Sequence, residues 1–444
     1  MPRYEFKEGK SNKFWEIELE DDSFTTRFGR IGSDGQESTK SFDSRAEAKR
    51  EYEKLIAEKV KKGYQLVSEG GGDAPPAAKT NPELEAAILA NPDDVHAYEV
   101  YGDWLQANGD LRGELVAIQV ALSKAHDAGL SGRANELLSN NEELFYGDIA
   151  EQVRGSVNVT WRYGFFDKVR ISMGYDDADG GADIDDIVSA VLTHPSGRFL
   201  RELTVGMFDY EGENHYPRII KVLQKAGPKP TLRRLFLGDF EYPEETEISW
   251  ANVGDIGKLW ALYPNLESLE LQGAEIELGK ISAPKLKSMI LRTGGLPAGA
   301  LKSLAAATFP SLESLEVWTG SDSYGGDSTI THLSPLLTGK SFPKLTHLGV
   351  VNCGYVGEAV SALAKSKILG QLKSLDLSKG TLIDDETDPL LDKGAFGALS
   401  SLKLSENLLS DAACSKLASV CGKVDCSEQR DNDDPEYRYV CVSE

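Results

Sequence analysis

Cysteine is scarce in this sequence, and the few cysteines present show no pattern that would bind a metal or build a disulfide framework. Only five occur among 444 residues, at positions 353, 414, 421, 426 and 441, and none forms a Cys-x-x-Cys pair. An odd number of such isolated cysteines is typical of reduced thiols in the cytoplasm. We therefore expect a cytoplasmic protein without a zinc site.

Long apolar runs are also missing. No stretch approaches the roughly 18 apolar residues that would cross a bilayer. The first six residues, MPRYEF, lack the apolar stretch of a secretory signal. We expect no membrane association.

Positive charge is deficient, and the deficit is uneven. The formal net charge is −23, yet residues 1–66 contain 14 Lys and Arg against 14 Asp and Glu, while the remainder contains 34 against 57. A surface this acidic repels the phosphate backbone of a nucleic acid at long range. Nucleic-acid binding is therefore compatible only with the neutral N-terminal segment.

The residue patterns of common catalytic and cofactor sites are absent as well. The six histidines show no metal-ligand spacing, and neither GxSxG nor HExxH occurs. Gly339-Lys340-Ser341 is similar to the end of a phosphate-binding loop, but Ser334 stands where that loop needs glycine. The acidic run 176–186 fails as a calcium loop because Ala178 and Gly180 occupy ligand positions, so we expect a solvated loop leading into a helix. We expect no enzymatic activity, no cofactor and no metal.

Residues 1–67 predict a compact β-rich module closed by a helix. Residues 13–19 alternate apolar and polar side chains, as a half-buried strand does, and residues 23–28 resume a strand after the turn Asp21-Asp22. Ser44 followed by Glu47 is typical of a capping box, so a helix is expected from residue 45 to 62.

Several landmarks of this module occur in the order found in a known family. Lys13-Phe14-Trp15, Arg27-Phe28-Gly29-Arg30-Ile31-Gly32, Gly35-Gln36 and Lys59-Val60-Lys61-Lys62-Gly63-Tyr64 together resemble the WGR domain, with Phe28 replacing the name-giving tryptophan. That domain is known mainly from DNA-repair polymerases, where it helps recognise broken DNA ends, and no polymerase part occurs here.

The resemblance implies a set of contact residues. Arg30 would pair with phosphate, and Phe28 or Trp15 would stack on a base or sugar. The candidate residues are Trp15, Phe28, Gly29, Arg30, Lys59, Lys61 and Lys62. The alternative is that Trp15 and Phe28 are core of a small sheet and the lysines compensate a helix dipole. A protein rather than a nucleic-acid partner for the module also stays open.

Two segments separate this module from the rest of the chain. Residues 68–80, rich in Gly, Pro and Ala, predict a flexible linker. Residues 81–152 predict helices, and the strings 101–105 (YGDWL) and 109–114 (GDLRGE) resemble a bacterial repeat-companion domain without an assigned activity. We expect this segment to form the N-terminal cap of a repeat array.

Residues 153–430 repeat the pattern Leu-x-x-Leu-x-Leu. Clear copies begin at Leu232, Leu266, Leu312, Leu345, Leu372 and Leu399, and weaker copies begin at Phe166, Leu200, Leu286 and Cys421. The pattern resembles leucine-rich repeats and predicts an α/β fold, a solenoid of parallel strands and helices. Residues 437–442 alternate like a strand, so residues 431–444 are expected to form a capping strand at the open end.

The predicted solenoid presents polar positions between its leucines. Candidate partner-contact residues are Arg233, Arg234, Phe236, Glu267, Glu270, Glu313, Glu316, Trp318, Tyr324, His347, Lys373 and Asp376. The acidic rows among them suggest a basic protein or peptide as partner, although solvated positions would look the same. The expected function is a non-enzymatic scaffold or adaptor. The alternative is a DNA-associated factor whose WGR-like domain binds DNA ends or nicks while the repeats recruit effectors.

Overall fold

A computed structural model describes residues 2–8, 11–31, 35–68, 79–175, 183–431 and 437–443. Across these residues the chain forms a five-stranded, an eleven-stranded and a three-stranded sheet. The fold is mixed α/β, with a β-rich N-terminal domain ahead of the large sheet.

The N-terminal domain is an antiparallel sheet with one helix packed on it. Its elements are β1 Arg3–Glu8, β2 Ser11–Glu20, β3 Ser23–Arg30, β4 Gln36–Ser41, α1 Arg45–Lys61 and β5 Gln65–Ser68, and the strand order is β4-β3-β2-β1-β5. The side chain of Ser44 accepts a hydrogen bond from the backbone N–H of Glu47, which caps α1 as the sequence predicts. Trp15, Ile17 and Phe24 form the core under this helix.

The expected linker lies almost entirely outside the described residues, which resume at residue 79. Two ion pairs join α1 to the segment that follows. Arg45 lies 2.7 Å from Glu151, and Lys49 lies 2.8 Å from Asp148. All four side chains are exposed, so each pair stabilises this contact by only about 0.2–1 kcal/mol.

A helical segment precedes the large sheet. Its helices are α2 Pro82–Ala90, α3 Val95–Ala107, α4 Arg112–Lys124, α5 Ala128–Ser139 and α6 Glu142–Tyr146. Side-chain oxygens of Asn81, Asp94 and Asp127 accept hydrogen bonds from the first free N–H groups of α2, α3 and α5. These caps explain why the helices begin where they do.

The string 109–114 is the joint between this segment and the sheet. Arg112 is 2% exposed, pairs with Asp110 and donates to Leu144 O and Ser196 Oγ, both at 3.2 Å. A Cβ on Gly113 would lie 2.3 Å from the carbonyl oxygen of Gly102, so α3 and α4 touch backbone to backbone here. The string 109–114 therefore packs α3 against α4 and the helical segment against the sheet.

The remaining strands are short. They are β6 Val157–Arg162, β7 Phe165–Ile171, β8 Glu202–Gly206, β9 Asn214–His215, β10 Arg234–Asp239, β11 Ala251–Asp255, β12 Ser268–Gln272, β13 Ala274–Glu277, β14 Ser288–Arg292, β15 Ser314–Gly320, β16 His347–Cys353, β17 Ser374–Asp376, β18 Ser401–Lys403 and β19 Val424–Asp425. The eleven-stranded sheet has the order β19-β18-β17-β16-β15-β14-β12-β10-β8-β7-β6. Apart from the antiparallel pair β6–β7, its neighbouring strands run parallel.

Every copy of the leucine pattern falls on a strand of this sheet, and the copies are in register. One inward row consists of Val169, Leu203, Leu235, Leu269, Met289, Leu315, Leu348, Leu375, Leu402 and Val424. All but Val424 are buried. No single unit could bury its own leucines, so the stacking of units creates the core.

Short helices return the chain between strands. They are α7 Ile184–Thr193, α8 Tyr216–Ala226, α9 Leu259–Leu262, α10 Ala298–Ala306, α11 Ile330–Leu333, α12 Val356–Leu363, α13 Lys393–Phe396 and α14 Asp411–Leu417. Asp183, within the acidic run, caps α7 as expected, whereas residues 176–182 of that run lie outside the described residues. The parallel three-stranded sheet β13-β11-β9 was not anticipated from the sequence.

The C-terminal segment differs from the expected capping strand. Residues 437–443 form no strand, and they contact the middle of the sheet rather than its open end. The backbone of Val442 exchanges two hydrogen bonds with the side chain of Asn352 at β16, and Cys441 N donates to Lys379 O at 3.0 Å. Val440 and Val442 are buried there. The alternating pattern thus reflects an extended segment with one buried side.

Candidate nucleic-acid interface and the open face of the sheet

The hairpin β2–β3 brings cationic and aromatic side chains onto one face of the N-terminal sheet. In its antiparallel register Lys13 lies opposite Arg30, and Trp15 lies opposite Phe28. Residues two apart on a strand share a face, so all four lie on the face that α1 covers. The helix ends at Lys61.

Trp15 does not serve as a contact residue, which corrects the implication drawn from the resemblance. Its side chain is 2% exposed and its ring centroid lies 5.4 Å from that of Tyr4. The Nζ atom of Lys59 lies 5.1 Å from the Trp15 ring and 5.2 Å from the Tyr64 ring. Trp15 is therefore a core residue that supports a cation above it.

Phe28 and its neighbours remain on the surface. Phe28 is 42% exposed, and Arg30 is exposed as well. Gly29 is half-buried and lies opposite the buried Phe14 on the other face of the hairpin. A large aromatic ring at this exposure, beside cations, is available for stacking.

The positive charges of Lys13, Lys59 and Lys62 lie close enough to interact at this end of the domain. Burial lowers the pKa of Lys59, and the charges of Lys62 and Lys13 lower it further. Lys61 and Lys62 are both exposed. Lys61, two residues from Lys59, lies about 200° around the helix and so on its far side. We call Lys13, Phe28, Arg30, Lys59 and Lys62 the basic patch.

Lys13 belongs to the basic patch although sequence reasoning did not select it. The signal was available, because Lys13 stands two residues before Trp15 on the same strand and pairs with Arg30 once the hairpin register is known.

The cations on the other face of the sheet are used in the fold. Arg3 and Arg27 lie 2.9 and 2.7 Å from the carboxylate of Glu16, which is 5% exposed. Burial would raise the pKa of Glu16, but the hydrogen bonds from Arg27 and Arg3 outweigh burial and lower it. The arginines on this face are thus paired with a buried carboxylate, whereas the cations of the basic patch lie on the opposite face of the sheet.

The large sheet presents its own polar face. The open face consists of two rows that flank the buried leucines: Lys168, Glu202, Arg234, Ser268, Ser288, Ser314, His347, Ser374 and Ser401, and then Arg170, Thr204, Phe236, Glu270, Ile290, Glu316, Gly349, Asp376 and Lys403. Arg233, Glu267, Glu313 and Lys373 stand one residue before the first row.

Arginines and lysines neutralise much of the acidic series on this face. Glu270 pairs with Arg234 and Arg292, and Glu267 lies 2.6 Å from Lys287 and 3.8 Å from Arg233. These carboxylates already have cationic neighbours, which removes the reason for expecting a basic partner in this region.

Glu316 is also satisfied within the protein. It accepts a hydrogen bond from Trp318 Nε1 at 2.7 Å and lies 3.9 Å from Arg292. Trp318 and Tyr324 are half-buried, the latter in the short 3₁₀ helix Asp322–Tyr324.

Two residues expected to be exposed are buried. Phe236 is 7% exposed and Glu270 is 9% exposed, and Glu270 is held between Arg234 and Arg292. Phe236 is therefore part of the floor of the open face.

The other candidate residues are spread along the sheet. His347 Nδ1 lies 2.8 Å from Ser374 Oγ, and Asp376 lies 3.5 Å from Lys403. Glu313 and Lys373 are exposed and form no ion pair with another described residue. Within the described ranges no three His, Cys, Asp or Glu side chains cluster as metal ligands would, and no helix is long and apolar enough to cross a membrane.

Comparison with known proteins identifies the N-terminal domain. Residues 3–71 match the family model of the WGR domain. The Escherichia coli K12 protein YfeS is 48% identical over 63 residues, 14% of this chain and 26% of that protein. YehF from the same strain is 41% identical over 64 residues, 14% of this chain and 23% of that protein. The chain thus spans about a quarter of the length of these curated relatives.

A likeness over the whole chain comes from a solved structure. The crystal structure of a Bacteroides fragilis protein is 24% identical and superimposes with a TM-score of 0.54 over 100% of this chain and 99% of that one. This likeness shows a shared fold. The sequence match and the sheet-and-helix structure together show that the chain begins with a WGR domain.

Proposed function

We propose that this protein is a non-enzymatic interaction protein whose WGR domain binds the backbone of a nucleic acid through the basic patch. The supporting observation is the convergence of Lys13, Lys59 and Lys62 with Arg30 beside the exposed ring of Phe28. Residues 1–66 are neutral overall, yet at this end of α1 the cations are gathered on one side.

The chemistry of the basic patch fits a phosphate backbone with an accessible base or sugar. Lysine and arginine contact phosphates and release counterions, and an exposed aromatic ring stacks on any base. The acidic remainder of the chain would repel the same backbone. Contact is therefore confined to the patch, which favours a short site such as an end or a nick.

Salt dependence tests this proposal with adjacent lysines as a matched pair. We expect Lys62→Ala to weaken binding of nicked and intact duplex DNA and to reduce the slope of log K against log salt by about 0.9. Lys61→Ala removes the same charge from the far side of the helix. It should change the affinity and the salt slope much less than Lys62→Ala does. Fluorescence anisotropy of a labelled duplex at several salt concentrations measures both quantities. Equal effects of the two variants, or no binding at low salt, would contradict the proposal.

Stacking has a separate signature. Phe28→Ala should lower affinity for nicked DNA by about 1–3 kcal/mol while leaving the salt slope unchanged, because no charge is removed. If Phe28→Ala binds like the wild type, the ring does not contact the nucleic acid.

A second function is supported by the open face. We infer that residues 153–430 form a leucine-rich-repeat solenoid and that its face binds a protein partner, in the manner of a scaffold. Ile290 and Trp318 are half-buried beside Glu270 and Glu316, whose carboxylates have Arg234 and Arg292 as neighbours. This setting suits an apolar anchor more than a basic peptide. Partner binding through this face should survive Lys62→Ala and be lost in Trp318→Ala. Loss of partner binding in Lys62→Ala and its retention in Trp318→Ala would instead assign partner binding to the WGR domain.

A further inference from the structure

Two cysteines lie together at the last unit of the array. Cys414 is in α14, the last helix, and Cys426 follows β19 directly. Strand β19 is an edge of the eleven-stranded sheet and pairs with β18 through only two residues, Val424 and Asp425. A short edge strand held by so few backbone contacts is prone to open locally.

The side chain of Cys414 lies against Cys426. Cys414 Sγ lies 3.9 Å from the carbonyl oxygen of Cys426, and the two thiols are hydrogen-bonding neighbours. Both residues are half-buried, so a small oxidant can reach them.

The other cysteines have different surroundings. Cys353 is buried, Cys441 contacts Glu406, and Cys421 contacts Lys423 O at 3.3 Å. Among the described cysteines, Cys414 and Cys426 are therefore distinguished as a pair.

We propose that Cys414 and Cys426 form a reversible disulfide in the presence of a peroxide, which fastens the last helix of the array to its last strand. One thiolate attacks an oxygen of hydrogen peroxide, the O–O bond breaks, that oxygen stays on the sulfur as a sulfenic acid, and the other oxygen leaves as hydroxide, which takes up the proton released by the thiol and becomes water. The second thiol then attacks that sulfur, the S–S bond forms, the S–O bond breaks and a second water leaves. The two thiols supply the two electrons that reduce the peroxide.

Burial raises the pKa of the Cys426 thiol, and the neighbouring Cys414 side chain acts in the same direction. The two thiols therefore influence each other's ionisation, as expected for side chains in contact.

The disulfide has a structural consequence. It closes a loop between residues 414 and 426, which restricts the unfolded chain and holds β19 against the sheet. An array is most exposed to fraying at its terminal unit, so this bond would act as a redox-dependent end clamp.

Peptide mass spectrometry of the full-length protein tests the proposal. After treatment with hydrogen peroxide and alkylation of free thiols, we expect a peptide pair joined through Cys414 and Cys426, which dithiothreitol separates. Cys421→Ser should retain this product. Cys426→Ser should abolish it and leave a sulfenic acid at Cys414 that dimedone traps. Disulfides that involve Cys421, or oxidation without any disulfide, would overturn the pairing.

Hydrogen exchange tests the clamp itself. Oxidation should slow exchange of the amide of Leu402, which donates to Lys423 O, and that of Leu404, which donates to Asp425 O. The slowing should be reversed by dithiothreitol and absent in Cys426→Ser. A disulfide that forms without changing exchange at β18 and β19 would overturn the clamp.

Discussion

Replacing Arg112 by methionine is expected to lower the free energy of unfolding by about 3–5 kcal/mol, because it strands a buried carboxylate. The guanidinium and the Asp110 carboxylate are 3% and 5% exposed and lie 3.4 Å apart. Arg112 also donates to Leu144 O and Ser196 Oγ, and its guanidinium carbon lies 5.8 Å from the Phe165 ring. The contacts with Ser196 and Phe165 join the helical segment to the part of the chain that carries the large sheet, so the loss should appear as a lower urea midpoint.

Two further variants separate charge burial from simple loss of packing. In the double variant Asp110→Asn with Arg112→Met, the unpaired charge is gone while an oxygen remains to accept from the backbone N–H of residue 112, so part of the stability should return. Arg133→Met breaks the exposed pair with Glu114 and should cost less than about 1 kcal/mol. If Arg112→Met lowers the free energy of unfolding by no more than Arg133→Met does, the contacts of Arg112 do not hold the helical segment against the sheet.

The strands of the large parallel sheet were predictable from the sequence because their signal is local. A strand buries alternate side chains, so the spacing of Leu235 and Leu237 predicts β10 without information about the neighbouring strands. Helix starts were readable for the same reason, since Ser44 and Glu47 are three residues apart. The strands β9 and β11 were missed because they are short, and β11 carries a polar Asn252 and a glycine within five residues.

The electrostatics of the open face could not be predicted, because they depend on which residues become neighbours across strands. Glu270 and Glu316 look like an acidic series when the chain is read in one dimension. In the folded sheet Arg292, from the strand between them, lies within 4 Å of both carboxylates. The same reasoning applies to the basic patch, where only the hairpin register brings Lys13 opposite Arg30.

The C-terminal segment shows the limit of the alternating pattern. Val440 and Val442 are buried while Tyr437 and Tyr439 are 65% and 69% exposed, which is the periodicity of a half-buried strand. Without a partner strand, the backbone hydrogen bonds of this segment go to side chains and loops. The alternating pattern therefore predicted correctly that one side of residues 437–443 is buried. The prediction that this segment pairs with a strand of the sheet was wrong.

Replacing Asn352 by alanine is the second change for which we expect a large effect, a loss of about 3–7 kcal/mol in the free energy of unfolding. Asn352 is fully buried, and its side chain both donates to Val442 O and accepts from Val442 N. Its loss leaves two backbone groups without partners, at about 1–3 kcal/mol each. The φ angle of residue 352 is 52°, a left-handed conformation that adds roughly 1 kcal/mol of strain for alanine.

Asn352→Gly separates these causes, because glycine adopts the left-handed conformation without strain but also lacks the amide. Both variants should speed hydrogen exchange at the amide of Val442 and expose the bond after Arg438 to trypsin. Only Asn352→Ala should show the additional loss of stability from strain. If Asn352→Gly leaves the Val442 amide protected, the buried valines alone hold the segment. If protection is lost, one asparagine side chain is what turns an alternating tail into a strap across the sheet.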